Sequence, residues 1–236
     1  MPVYRIADLD ILINPIYENT IKRLFPYITN SENYDFEISL TEDEKNSLDE
    51  NGFSTTTTAV TEDSIILQRL CCTILESYNG FFFHSSSVMV DGNAYVFSAP
   101  SGTGKSTHTA LWRKYFGDKA VMINDDKPII RKHNGSFYIY GTPWMGKSNI
   151  GNNIKAPVKA IYFLERSKEN SAVKVSTGSV FREILEATVV PQNKATMHTL
   201  LSTLDEFFST TQIFKLKCNM DIDAVKTAFN AVNDYK

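Results

Sequence analysis

Apolar positions recur with two different periods along this chain. Up to about Thr61, short apolar runs (Ile11-Leu-Ile13, Phe36 with Ile38 and Leu40, and Phe53) alternate with clusters of Asn, Ser, Thr and Glu. That spacing predicts strands joined by loops, with a short helix from Tyr17 to Phe25 between them. Thr55 to Thr58 is a polar, β-branched run that reads as an edge strand or a loop. From Asp63 the period lengthens: Ile66, Leu70, Ile74 and Tyr78 share one helical face, and Asn79-Gly80 supplies the stop.

Short periods then return. Val88-Met-Val90 and Ala94-Tyr-Val-Phe97 flank Asp91-Gly92, a dipeptide that favours a two-residue hairpin turn. A helical run from Thr107 to Phe116 ends at Gly117, and Ala120-Val-Met-Ile123 is a buried strand running into Asn124-Asp125-Asp126. Ile129-Ile130 and Phe137 to Tyr140 form a second hairpin about Asn134-Gly135, and Ala160 to Leu164 a further core strand. The remainder is mostly helical. Val180, Phe181, Ile184 and Leu185 follow Thr177 as a cap, and Met197 to Phe208 is strongly amphipathic. Ile213 to Leu216 is a short strand, and a last helix starts near Asp221. The pattern predicts an α/β fold in two parts: residues 1–62, a small N-terminal β-rich lobe packed on the core, and residues 63–236, a larger mixed-sheet domain with C-terminal helices.

Composition removes several functions. The 236 residues carry a net charge of −3, so no basic surface calls for nucleic acid. No apolar stretch reaches the roughly 20 residues of a membrane span, and Met1 to Asp8 lacks a signal-peptide core. Three cysteines, two adjacent at Cys71 and Cys72, give neither a disulfide framework nor metal spacing. The expected location is the cytoplasm.

The chemistry starts at Ala99-Pro-Ser-Gly-Thr-Gly-Lys-Ser106, a phosphate-binding loop between a strand and a helix. Ser101, Gly102, Thr103 and Gly104 offer backbone N–H groups to an anion, and the positive end of the helix adds to the same field. Lys105 reaches the β- and γ-phosphates, Ser106 can ligate Mg²⁺, and Thr107 completes the first turn. Ala99 stands where the first glycine of the pattern usually lies. No Asn-Lys-x-Asp guanine-reading motif is present, which favours ATP.

Asp125 and Asp126 end an apolar strand downstream of that loop, the usual place for a Mg²⁺-handling carboxylate. A pair lets one carboxylate face the metal while the other accepts a proton. His84 follows Phe81-Phe-Phe83 at the open end of the first hairpin, which returns the chain to the phosphate loop. His108, in the first turn of the following helix, is expected at the surface or beside the base. Tyr140 to Asn153 is a loop rich in glycine and asparagine, with an exposed-looking Trp144 and a cationic Lys147; it suits a substrate loop or a plain surface loop.

His84 before a hairpin, Ser98 to Thr107, and Asn124-Asp-Asp-Lys127, in that order, resemble the catalytic domain of HPr kinase/phosphorylase, whose fold is related to phosphoenolpyruvate carboxykinase. The resemblance covers roughly Phe81 to Glu165. Tyr140 to Trp144 and Phe163 to Arg166 also look like bacterial HPr-kinase-like relatives, some of which serve peptide-modification pathways. The family's Arg-Gly-Leu-Gly-Ile segment is absent, with Gly141 to Gly146 in its place. The resemblance implies Asp125 as general base, Asp126 as the metal-side carboxylate with Ser106, and His84 as their support. It further implies ATP and Mg²⁺ as cofactors and a homo-oligomer as one possible assembly. The expected function is γ-phosphoryl transfer to a hydroxyl of a protein, peptide or small molecule. The alternative is a nucleotide-dependent binding or accessory protein that transfers nothing.

Overall fold

A computed structural model describes residues 2–44, 55–190 and 194–234. Phe53, expected in a strand, lies outside the described residues. The N-terminal segment forms a four-stranded sheet ordered β3-β1-β2-β4, with β1 Val3–Ile6, β2 Leu9–Ile13, β3 Ile28–Thr29 and β4 Phe36–Ile38. β1 and β3 are additions to the expected strands; β1 is four residues long and β3 two, too short to register as alternating runs. Helix α1, Glu18–Leu24, lies between β2 and β3.

Helix α2 spans Thr55–Tyr78. Thr55 to Thr58, expected as an edge strand or loop, are instead its first turn. Threonine's β preference is worth only tenths of a kcal/mol per residue, and a helix already anchored by packing overrides it. The anchoring face is the expected one, with Ile66, Leu70 and Ile74 fully buried. Asn79 takes a left-handed φ of +52° after the last turn, and Gly80 follows where an added Cβ would meet Ile74 at 2.8 Å.

The main sheet contains nine strands. Its path runs β5 (Gly80–Phe82), β9 (Ile129–His133), β10 (Ser136–Tyr140), β11 (Lys155–Arg166), β7 (Asn93–Ser98), β6 (Ser86–Val90), β8 (Ala120–Asn124). β13 (Gln212–Cys218) also pairs with β11, in parallel, and β12 (Ser171–Lys174) with β13. β11 is 12 residues long and works in two halves. Its first residues pair antiparallel with β10, and beyond a register shift at Val158/Ala160 it runs parallel to β7 and β13. The two expected hairpins are present, with positive φ at Asp91, Gly92, Asn134 and Gly135 as a two-residue primed turn requires.

Helix α3 (Lys105–Phe116) covers one face of this sheet and α5 (Lys194–Thr210) the other, joined by α4 (Phe181–Ala187) and α6 (Asp223–Asp234). Trp112 of α3 is fully buried against Tyr95 and Phe97, with ring centroids 4.6 and 5.3 Å apart. α4 carries no side-chain cap; Phe181 is exposed, while Val180 and Ile184 do the packing. Between lobe and sheet the apolar interior is continuous: Tyr4, Ile6, Ile11 and Tyr27 share a cluster with Phe82, Ile129, Tyr140 and Trp144. Dividing the chain at residue 62 remains a proposal, since α2 runs through that point.

Candidate functional site

β7 ends at Ser98 and α3 begins at Lys105, so the glycine-rich loop spans the gap between the sheet edge and a helix N-terminus. Gly102 and Gly104 have φ of +80° and +121°, conformations that side-chain-bearing residues rarely adopt, and open space lies where their Cβ atoms would be. Arg166, at the end of β11, donates to the carbonyls of Thr103, at 3.1 Å, and Gly102. Both carbonyls are thereby satisfied by a side chain.

Lys105 is buried, 8% exposed, and its Nζ donates to the Ala99 carbonyl at 2.8 Å. Burial lowers its pKa, and the nearby carboxylates of Asp126 and Asp125 act in the opposite direction. The sequence placed this lysine on the loop; the structure also places it in the field of both aspartates.

The aspartates are presented by a pinned turn. Asn124, the last residue of β8, accepts the N–H groups of Asp126 and Lys127 on Oδ1, each at 2.9 Å. Its Nδ2 donates to the Thr142 carbonyl at 3.0 Å. Ser85 N–H donates to the Asp126 carbonyl at 3.0 Å and Phe83 N–H to that of Pro128, so the chain around His84 is stitched to the same turn. Ser98 Oγ donates to the His84 carbonyl at 3.1 Å, tying this segment to the strand that feeds the phosphate loop.

The two carboxylates have different surroundings. Asp126 Oδ1 lies 3.3 Å from His84 Nε2, and its Oδ2 lies 3.2 Å from Lys127 Nζ. Burial alone would raise the Asp126 pKa, but His84 and Lys127 together outweigh it and hold the carboxyl below its ordinary range. Asp125 is only 9% exposed and accepts two hydroxyls: Ser86 Oγ at 2.5 Å on Oδ1, and Ser148 Oγ on Oδ2. Ser86 Oγ also meets Thr109 Oγ1 of α3 at 2.8 Å. His84 thus reaches Asp126 directly and Asp125 only through the shared turn.

Ser86, Thr109 and Ser148 were given no role by the sequence reading, and Asn124 entered it only as the first residue of the Asn-Asp-Asp-Lys motif. Their only signals were a serine run before the hairpin and a serine beside Lys147, neither specific without the fold.

Trp144 is a correction. Expected as exposed, it is 6% exposed and packs edge-on against Phe82, with centroids 5.9 Å apart. The large apolar seam between lobe and sheet claims the indole. Lys147 sits on an exposed 3₁₀ turn, Gly146–Ser148, and with Asp126 and Lys127 lines a groove of about 330 Å³. His108 is also moved inside: it is 2% exposed, with Nε2 accepting the Trp112 indole N–H at 3.0 Å.

Two further cavities flank the loop. One, about 580 Å³, runs along Gly102, Gly104, Thr107, Leu111 and Met220; the other, about 660 Å³, is bordered by His84, Ala99, Ser101, Glu183 and Glu186. Ser106 and Thr107 are exposed at the start of α3. Among the described residues no cluster of three or more His, Cys, Asp or Glu side chains could hold a metal by itself, and no helix is long and apolar enough to cross a membrane.

No family model matches the chain, and no curated protein matches it in sequence. Among solved structures it is similar to the Hpr(Ser) kinase/phosphatase from Coxiella burnetii. That match covers 65% of this chain and 95% of the other, at 9% identity and a TM-score of 0.34. The likeness is distant and structural only.

Proposed function

We propose that this chain is a Mg²⁺- and ATP-dependent kinase that transfers a γ-phosphoryl group to a hydroxyl of a protein, peptide or small molecule. One observation carries the reading: the phosphate-loop lysine, Lys105, is buried within the field of Asp125 and Asp126, whose turn His84 braces. Phosphoryl transfer requires phosphate positioning, charge neutralisation and a proton acceptor, and these groups offer one of each.

The residues fit the ligands. Gly102 and Gly104 leave open space that any Cβ would occupy, and Ser106 and Asp126 would each offer Mg²⁺ a hard oxygen of the kind it takes alongside phosphate oxygens. When bound, the metal would neutralise charge on the phosphates. Lys105 would exchange its Ala99 carbonyl for a phosphate oxygen. Asp125 would take the proton of the acceptor hydroxyl, with Ser86 fixing the carboxylate plane. His84 and Lys127 keep Asp126 ionised.

One observation favours the accessory reading instead: both Asp125 oxygens already receive hydroxyl donors. Transfer assays separate the two. Asp125→Asn should lower γ-phosphoryl transfer by about 10²–10⁴-fold while nucleotide affinity persists. Lys105→Ala should weaken nucleotide binding at least about tenfold, the loss of a charge-assisted hydrogen bond. Nucleotide binding without transfer to any component of a cell extract would count for the accessory protein.

A further inference from the structure

One hydroxyl already occupies the position an acceptor would need. Ser148 Oγ donates to Asp125 Oδ2, the oxygen not taken by Ser86. Ser148 ends the exposed turn Gly146–Ser148, bounded by left-handed backbone at Gly146 (φ +64°) and Asn149 (φ +49°). The turn lies directly on the aspartates: a Cβ on Gly146 would stand 3.0 Å from the Asp126 Cβ. Asp125 in turn connects to α3, the helix that follows the glycine-rich loop, through Ser86, whose Oγ lies 2.8 Å from Thr109 Oγ1. A buried serine on a carboxylate is ordinary structure. An exposed one, on a short glycine-bounded turn over the candidate base, is placed as a nucleophile is.

We propose that Ser148 is a phosphorylation site of the chain's own active centre. The inference rests on the kinase reading above. Ser148 Oγ forms a bond to the γ-phosphorus of the bound nucleoside triphosphate, and its proton passes to Asp125. The bond from the γ-phosphorus to the β,γ-bridging oxygen breaks, and its electron pair leaves with the nucleoside diphosphate. The product carries about two negative charges beside Asp125 and Asp126, so like-charge repulsion drives the turn off the carboxylate. Lys147, on the same turn, supplies a cation for the new phosphate. Modification therefore clears Asp125 for an external hydroxyl.

The test uses the full chain with Mg²⁺ and γ-labelled ATP and no added acceptor. Close to one label per chain is expected on the peptide containing Ser148, at a rate per molecule independent of protein concentration. Ser148→Ala should lose the label and keep nucleotide affinity within about twofold. In nucleotide-free protein, Ser148→Ala should also speed amide hydrogen exchange across residues 146–149, because the anchoring bond is gone. Label persisting in Ser148→Ala, or exchange unchanged by that substitution, would overturn the proposal. So would transfer to an external acceptor with no label on Ser148, an outcome that leaves the kinase reading standing. If Lys105→Ala leaves nucleotide affinity unaltered, the kinase reading falls first and this proposal falls with it.

Discussion

His108 shows how one side chain can set a pH limit on the fold. Its Nε2 accepts the Trp112 N–H, which only an unprotonated nitrogen can do, and burial pushes its pKa from 6.5 down to about 4. In the unfolded chain the imidazole protonates near its ordinary value. Stability is therefore complete above pH 6.5 and declines as pH falls toward 4, by up to about 3 kcal/mol. His108→Gln keeps an acceptor for Trp112 without the titration. Urea melts between pH 7 and 4.5 should show a flatter pH dependence in that variant than in the parent. Asp126 adds to acid sensitivity at lower pH: its stabilisation is present above the ordinary carboxylate range and disappears as pH falls through its depressed value.

Among the elements, the turn after β8 and the loop after β10 hold each other. Gly141 begins that loop with no room for a side chain: an added Cβ would lie 1.8 Å from the Asn152 carbonyl oxygen and 2.7 Å from that of Ile123. Both are backbone atoms, so strands would have to part. Gly141→Ala should cost about 3 kcal/mol or more, read from the shift of the denaturant midpoint, and should loosen Asp125 and Asp126 as well. Element types were legible in the sequence wherever a period or a turn dipeptide was strong: α2 downstream of Asp63, both hairpins, α3, β8 and α5. Legibility failed where the signal was not local. Thr55 to Thr58 looked extended because helix formation there depends on packing by later turns. Trp144 looked exposed because its loop is polar, while the surface that buries it comes from the distant Phe82. The place of the glycine-rich loop between strand and helix could be read because its residues are contiguous. The Ser86–Asp125–Ser148 contacts could not, because three separate segments supply them.

Across the whole molecule, lobe and sheet share one apolar cluster, and a buried carboxylate ties α2 to the start of α1. Glu62 of α2 is fully buried and accepts the N–H groups of Ile16 at 2.6 Å and Tyr17 at 3.2 Å, the residues that open α1. A helix start whose own residues provide no side-chain cap is thus capped from another element. Glu62→Ala should strand two donors and cost about 1–3 kcal/mol. Because the cluster is continuous, far-UV circular dichroism and tryptophan fluorescence should report coincident unfolding transitions, shifted together in the variant. Separate transitions would mean the N-terminal sheet melts by itself.

Arg166 gives the phosphate loop a thermodynamic character. Its guanidinium holds the Gly102 and Thr103 carbonyls while Lys105 rests on the Ala99 carbonyl, so the loop is fixed by hydrogen bonds without any ligand. On the kinase reading, such a preorganised loop would lose little conformational entropy on association, and a triphosphate would have only to displace water and one lysine hydrogen bond. Its affinity then comes mainly from charge, and so should weaken steeply as ionic strength rises.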